Sequence, residues 1–342
     1  HPPAPAAPRS PHEEIRDFFY RRQNYLHDAD TAAEALAAGT GIRPGEILRA
    51  LADRLSERHG VRLVTGPTGR ADEAHRFDPS GRILHLSPLL RPGQRAFRMA
   101  TQLALLEYDA ELSRLAAEDF EPGTGTWSLT RVALANYLAA ALILPYREFH
   151  ATAEELRYDI ERLADRYGVG YETVCHRLST LQRPRLRGVP FSFVRVDRAG
   201  NMSKRQSATD FHFSRAGGTC PLWNVYEAFA APGQVHVQIA AMPDGRRYLW
   251  TARTVTRNRG GWRRPGRTFA VGLGCEIRHA ARLVYSDGLD LANTAADTPI
   301  GMGCRVCERL DCAQRAAPPL GRALATDEHT STFVPFPLAD DR

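Results

Sequence analysis

Lysine is almost absent from this chain. Of its 45 basic residues only Lys204 is a lysine; the others are arginines. A GC-rich genome accounts for most of that bias. Arginine offers a planar bidentate fork and lysine a mobile point charge, so the one position that kept a lysine is a candidate for function. Cysteine is also scarce: six in 342 residues, four of them in the last quarter. A secreted disulfide scaffold would be smaller, with its cysteines spread along it. Reduced thiols in the cytoplasm are expected instead, and clustered cysteines then point toward metal. No apolar run reaches the roughly 18–20 residues of a membrane span. The most apolar stretch, Val132 to Leu144, is shorter and carries Asn136 and Tyr137. His1 to Pro11 is rich in proline and alanine and lacks the apolar core of a signal peptide. With no initiator methionine, the chain reads as a fragment whose N-terminal part is missing. Internal repeats, GxSxG and the Rossmann glycine pattern are absent. What remains is ordinary globular composition, 43% hydrophobic and 25% charged with a net charge of +6, enough for two domains with real cores.

Residues 1–11 read as a linker stub. Periodicity predicts helices over residues 13–37, Pro44–His59, Gly93–Ala117 and Leu129–Leu144, the last stopped by Pro145, and two more within Ala153–Arg183. Short strands are predicted at Val61–Val64 and Arg82–Leu86. After Pro184-Arg185-Leu186-Arg187-Gly188 the pattern changes to β-branched and aromatic residues alternating with polar ones. Strands are expected at Phe191–Asp197, Met202–Arg205, Val235–Ala241, Tyr248–Thr256 and Thr268–Gly274, with a helix over Glu276–Tyr285. The predicted fold class is α+β. A helical domain with a small sheet occupies 12–183 and an α+β domain with an antiparallel sheet occupies 184–342, GAF- or PAS-like topology being one candidate for the latter.

The strongest chemical signal is Cys304-Arg305-Val306-Cys307, then four residues, then Cys312, with Cys275 upstream between a strand and a helix. Four thiolates meet the ligand count of a Cys₄ site. Free buried cysteines and structural zinc are the competing readings. Zinc sites usually bring two CxxC knuckles, whereas here there is one. The x₂ and x₄ spacings resemble a plant-type ferredoxin run reversed, so an iron–sulfur cluster, [4Fe–4S] first, is favoured on Cys275, Cys304, Cys307 and Cys312. Arginines 305, 309 and 315 flank these ligands. Cys175 and Cys220 read as packing residues.

A second signal is an absence. The helix Ala96 to Glu107 has Thr101-Gln102 and Leu105 where a zinc peptidase needs HExxH, two imidazoles on one face with a carboxylate between. Hydrolysis by this helix is excluded. Third, Ala164 to Leu178 is spaced like a helix-turn-helix. A packed helical hairpin is the favoured reading, because the second helix offers few base-reading side chains. Fourth, eight arginines (246, 247, 253, 257, 259, 263, 264 and 267) and no acid lie between Asp244 and Glu276. Such density suits a phosphate or polyanion, or a solvated loop. The hairpin Asp197 to Arg205, with Lys204, is a second basic site.

Arg98-Met99-Ala100-Thr101-Gln102-Leu103-Ala104-Leu105-Leu106-Glu107 and Ala135 to Pro145 resemble an ImmA/IrrE-type metallopeptidase domain stripped of its zinc ligands. Further stretches point the same way: Cys175 to Pro184, Gly200 to Arg205, Cys220-Pro221-Leu222-Trp223-Asn224, and Pro299 to Ala316. Together they resemble the short-chain fatty acyl-CoA transcriptional regulators over about residues 40–336. The resemblance implies control of propionate, methylcitrate-cycle and glyoxylate genes, an acyl-CoA effector (propionyl-CoA favoured), and DNA binding through an N-terminal helix-turn-helix outside this chain. It also implies a non-enzyme that forms a homo-oligomer at full length. On this reading the acyl chain enters an apolar cleft between the Gln102 and Asn136 helices. Lys204 and Arg205, with Arg247 and Arg253 behind them, meet the CoA phosphates. Trp223 and Tyr248 are candidate platforms for the adenine. The alternatives are a CoA-dependent or iron–sulfur enzyme, and a zinc-stabilised interaction module.

Overall fold

The computed structural model describes residues 10–40, 46–66, 73–209, 211, 219–257, 262–263, 266–325 and 327–339. Most of the expected linker stub, and Arg259 and Arg264 of the basic stretch, lie outside them. The chain divides into two compact units, His1–Gly188 and Val189–Arg342.

The first unit is mainly helical. Helix α1 (Pro11–Arg21) opens on a reciprocal cap: the Ser10 hydroxyl accepts from Glu13 N–H, and the Glu13 carboxylate accepts from Ser10 N–H. The single helix expected over 13–37 is broken, because Gln23 and Asn24 take left-handed backbone (φ 52° and 57°) before α2 (His27–Thr40) begins. Helix α3 (Ile47–His59) ends on Gly60 at φ 59°. Strands β1 (Arg62–Thr65), β2 (His75–Asp78) and β3 (Ile83–Leu86) form a sheet of order β1-β3-β2, the first pair parallel and the second antiparallel. Helices α4 (Pro92–Glu107) and α5 (Asp109–Ala117) replace the one expected over 93–117, separated at Tyr108. Helix α6 (Gly125–Ile143) packs against α1, α2, α4 and α5, so its second half, from Leu134 on, is buried nearly all round. This explains an apolar run without an amphipathic face. The chain then bends by 61° at Pro145 into α7 (Tyr146–Glu155). Among the described residues no single helix is long and apolar enough to cross a membrane.

Helices α8 (Ile160–Tyr167) and α9 (Tyr171–Leu178), joined through Gly168 at φ 62°, are the helix-turn-helix-like segment. In α9 Tyr171, Glu172, Val174, Cys175, Arg177 and Leu178 are all buried. Arg177 gives Nη2 to Asp30 Oδ1 at 2.5 Å and Nε to the Leu144 carbonyl at 3.0 Å. The hairpin is a packing element, as the side-chain pattern suggests.

The second unit is built on a six-stranded sheet of order β5-β4-β8-β7-β6-β9. Its strands are β4 (Ser192–Val196), β5 (Met202–Ser207), β6 (His236–Ala241), β7 (Arg247–Arg257), β8 (Arg267–Glu276) and β9 (Thr298–Pro299). All pairs are antiparallel except β6 with β9. Val194, Val196, Trp250, Ala252 and Ala270 face a core that also takes in Trp223, which precedes α10 (Asn224–Glu227), Val225 within that helix, and Ile300, which follows β9. A Cβ on Gly274 would lie 2.4 Å from Trp250 Cδ2, so this strand position has to be glycine for the indole to lie across it. The helix expected over 276–285 is only α11 (Ile277–Ala280), followed by a 3₁₀ turn at Val284–Ser286.

Candidate metal centre

The 3₁₀ turn Cys304–Val306 starts from Gly303, whose φ of 145° is open only to glycine at little cost. Just upstream, β9 delivers Ile300, whose N–H donates to the Ala241 carbonyl at 3.0 Å and fixes the loop to the sheet. Arg309 adds two ties, Nε to Ile300 O (3.1 Å) and Nη2 to Ala241 O (2.6 Å). A Cβ on Gly301 would stand 2.6 Å from Cys307 Sγ, so that sulfur packs against bare backbone. Ala316 N–H donates to Cys304 Sγ at 3.3 Å.

These constraints gather Cys304, Cys307 and Cys312 around one small concavity, part of it open to solvent. The fourth cysteine on its wall is Cys220. Burial pushes the Cys220 thiol up, while the N–H groups of Gly301 and Leu222 donate to it and pull the other way. The loop also carries two guanidiniums, Arg309 and the buried Arg315, to the same wall, whereas Arg305 is exposed. Among the described residues no three His, Cys, Asp or Glu side chains close on a point as a single ion would need. Four cysteines, Cys220, Cys304, Cys307 and Cys312, line the concavity, with no His, Asp or Glu among the lining residues.

Cys275 is not part of it. It lies in β8 opposite Leu249, fully buried, with its thiol pushed up to about 12 by burial. Of the four cysteines expected as ligands, Cys304, Cys307 and Cys312 line the concavity, together with Cys220, while Cys275 packs in a strand. The run from Cys304 to Cys312 carried a spacing signal. Cys220, isolated next to Pro221, carried none.

Other expected positions are also redistributed. Trp223 and Tyr248 are core residues, the first stacked edge-on to Trp250 with centroids 4.7 Å apart, the second edge-on to Phe211 at 5.2 Å. Neither offers a ring face to an adenine. Arg247 makes a two-pronged ion pair with Asp297 (2.5 and 2.8 Å) and donates to the Leu291 carbonyl (2.9 Å). Arg253 gives its Nε to Gly233 O at 2.8 Å. Lys204 is exposed on β5, the sheet edge, directly opposite Arg195, and Arg205 beside it is partly buried.

In the first unit Gln102 is buried on α4, and Thr101 gives its hydroxyl to Phe97 O (2.8 Å) and lies 3.2 Å from Asn136 Oδ1. Helices α4 and α6 pack against each other, and Ala96 and Ala100 of the first and Ala135 and Ala139 of the second are buried. Burial works against ionisation of Glu107 at the end of α4, but Arg54 (2.6 and 2.8 Å) and His59 (3.0 Å) outweigh it and hold its carboxyl below the usual range. Glu107 thus clamps α3 to α4, and no carboxylate stands at the former peptidase position.

The comparisons with known proteins agree with this division. Residues 56–179 match the IrrE N-terminal-like domain, and residues 180–336 match the short-chain fatty acyl coenzyme A regulator, C-terminal. The chain is 59% identical to the HTH-type transcriptional regulator RamB of Mycobacterium tuberculosis, covering 95% of this chain and 69% of that protein. It is 51% identical to the HTH-type transcriptional regulator PrpR of the same organism (97% and 68%), and 44% identical to the propionyl-CoA carboxylase regulator of Cereibacter sphaeroides (97% and 70%). A solved Mycobacterium tuberculosis transcriptional regulator superposes with a TM-score of 0.93 at 50% identity, covering 96% of this chain and all of that one. The chain belongs to the short-chain fatty acyl-coenzyme A regulator family.

Proposed function

We propose that this chain is the effector-sensing part of a transcriptional regulator of short-chain acyl-CoA metabolism, with an acyl-CoA as effector and an iron–sulfur cluster held by Cys220, Cys304, Cys307 and Cys312. The observation that carries the regulatory role is the high identity, along nearly the whole chain, to proteins named as regulators, one of them for propionyl-CoA carboxylase. A non-catalytic role fits the residues of α4, which has Thr101 and Leu105 at the two histidine positions. The strand order of the second unit, counted within it, is 2-1-5-4-3-6, which supports a GAF- or PAS-like sensor domain. DNA recognition would belong to a helix-turn-helix other than α8 and α9. The cytoplasm and a homo-oligomer are the setting this reading implies.

The metal assignment rests on an all-thiol set, Cys220, Cys304, Cys307 and Cys312 on the wall of one concavity, and on a single CxxC followed by a four-residue spacing, which suits a cluster better than the two knuckles usual for zinc. A bound cluster would supply a redox-responsive group; the protein's own residues orient the sulfurs and offset their charge. Propionyl-CoA is the favoured effector, its phosphates meeting Lys204 and Arg205 on β5, with Arg253 three strands along the sheet on β7. The direct test of the centre is iron, sulfide and zinc analysis of anaerobically purified protein. Cys220→Ser is expected to lose the metal and Cys275→Ser to keep it. The reverse pattern would restore Cys275 as the ligand, and stoichiometric zinc without iron would replace the cluster by a structural zinc site.

A further inference from the structure

The wall of the cysteine concavity contains a buried cation that has no carboxylate partner among the described residues. Arg315 is 3% exposed. Its Nη2 donates to the Arg309 carbonyl, its Nη1 is 3.5 Å from the Cys304 carbonyl, and its Nε is buried with no partner. Among the described residues it forms no ion pair with a carboxylate; Glu308 and Asp311, the acids of the same loop, are exposed. A guanidinium cannot relieve this by losing its proton. Left alone, such a charge opposes folding.

We propose that Arg315 is the counter-ion of an anionic metal–thiolate centre in this concavity, with Arg309 as its second cation. The inference rests on the metal reading above and gives that reading a charge balance. Four thiolates around a dipositive core, whether a cluster or a zinc ion, leave two negative charges. Arg309 and Arg315 are the two guanidiniums on the same wall. Of the three arginines flanking the cysteines in sequence, the exposed Arg305 takes no part. Arg315 acts through the sulfurs, as a positioning residue.

The test compares the wild-type chain with Arg315→Gln and Arg315→Lys, each metal-loaded and metal-free. Loaded Arg315→Gln is expected to release metal to excess EDTA about tenfold or more faster than wild type, while Arg315→Lys keeps most of the wild-type retention. In the metal-free chain the sign reverses: Arg315→Gln melts at the same temperature as wild type or higher, because it removes an uncompensated buried charge. A purely structural arginine would lower Tm equally with and without metal. That result, or failure of metal-free Arg315→Gln to fold, or unchanged metal release, overturns the counter-ion. A wild-type chain that takes up neither iron nor zinc overturns the metal reading itself, and the counter-ion with it.

Discussion

Gly301 decides how closely Cys307 approaches the concavity. Gly301→Ala places a methyl 2.6 Å from that sulfur, against a loop already tied to the sheet through Ile300 and Arg309. Such overpacking typically costs about 1–3 kcal/mol. A lower Tm of the metal-loaded chain and a substoichiometric metal content are expected; a full metal content with unchanged Tm would show that the loop moves freely. At this scale the sequence revealed only part of the site. The run Cys304 to Cys312 is local, so its spacing is visible in one stretch. Cys220 reaches the same wall through the packing of Trp223 and β9, which no spacing records. Cys275 has the flanks of a ligand, between strand and helix, but it belongs to the pairing of β8 with β7 and its sulfur is spent on the core. Trp223 and Tyr248 illustrate the same limit: an aromatic near basic residues looks like a base platform until the sheet turns it inward.

Among the elements, α9 is the sharpest case. A helix that reads DNA must present side chains to a groove. Here Arg177 instead holds Asp30 of α2, and Asp30 Oδ2 also accepts from Tyr137 of α6 at 2.5 Å. Three helices meet at one buried charge pair. Removing one partner leaves the other charge unpaired, so Asp30→Ala is expected to destabilise the chain by about 3–5 kcal/mol in urea unfolding. A loss below about 1 kcal/mol would mean that water reaches the pair. The turn at Gly168 and the apolar anchors of this hairpin were legible because they are local. The breaks at Gln23–Asn24 and at Tyr108 were not, since alanine-rich helical periodicity runs straight through both. Strand β2 was also missed: His75–Asp78 is short and polar, and exists as a strand through its pairing with β3. In the second unit, alternation gave most strands within a residue or two, because each antiparallel strand there has one face on the Trp250 core.

For the whole molecule, the division at Gly188 and Val189 follows the change in pattern after Pro184, and the two matched family segments meet close to it. The first unit matches an IrrE N-terminal-like domain, and in it Thr101 of α4 meets Asn136 of α6. The second unit keeps the cysteine concavity and the basic edge of β5. What the account asserts of the whole is recognition of an acyl-CoA without turnover. The most direct measurement is anaerobic calorimetry of the metal-loaded chain with propionyl-CoA, acetyl-CoA and free CoA, repeated on Lys204→Ala and Arg205→Ala. Saturable binding of acyl-CoA is expected, tighter for propionyl-CoA than for CoA alone and with no product formed. Each substitution is expected to weaken it by about 1.5–3 kcal/mol, roughly ten- to hundredfold. Absence of binding by any acyl-CoA to the intact, metal-loaded chain would contradict the account.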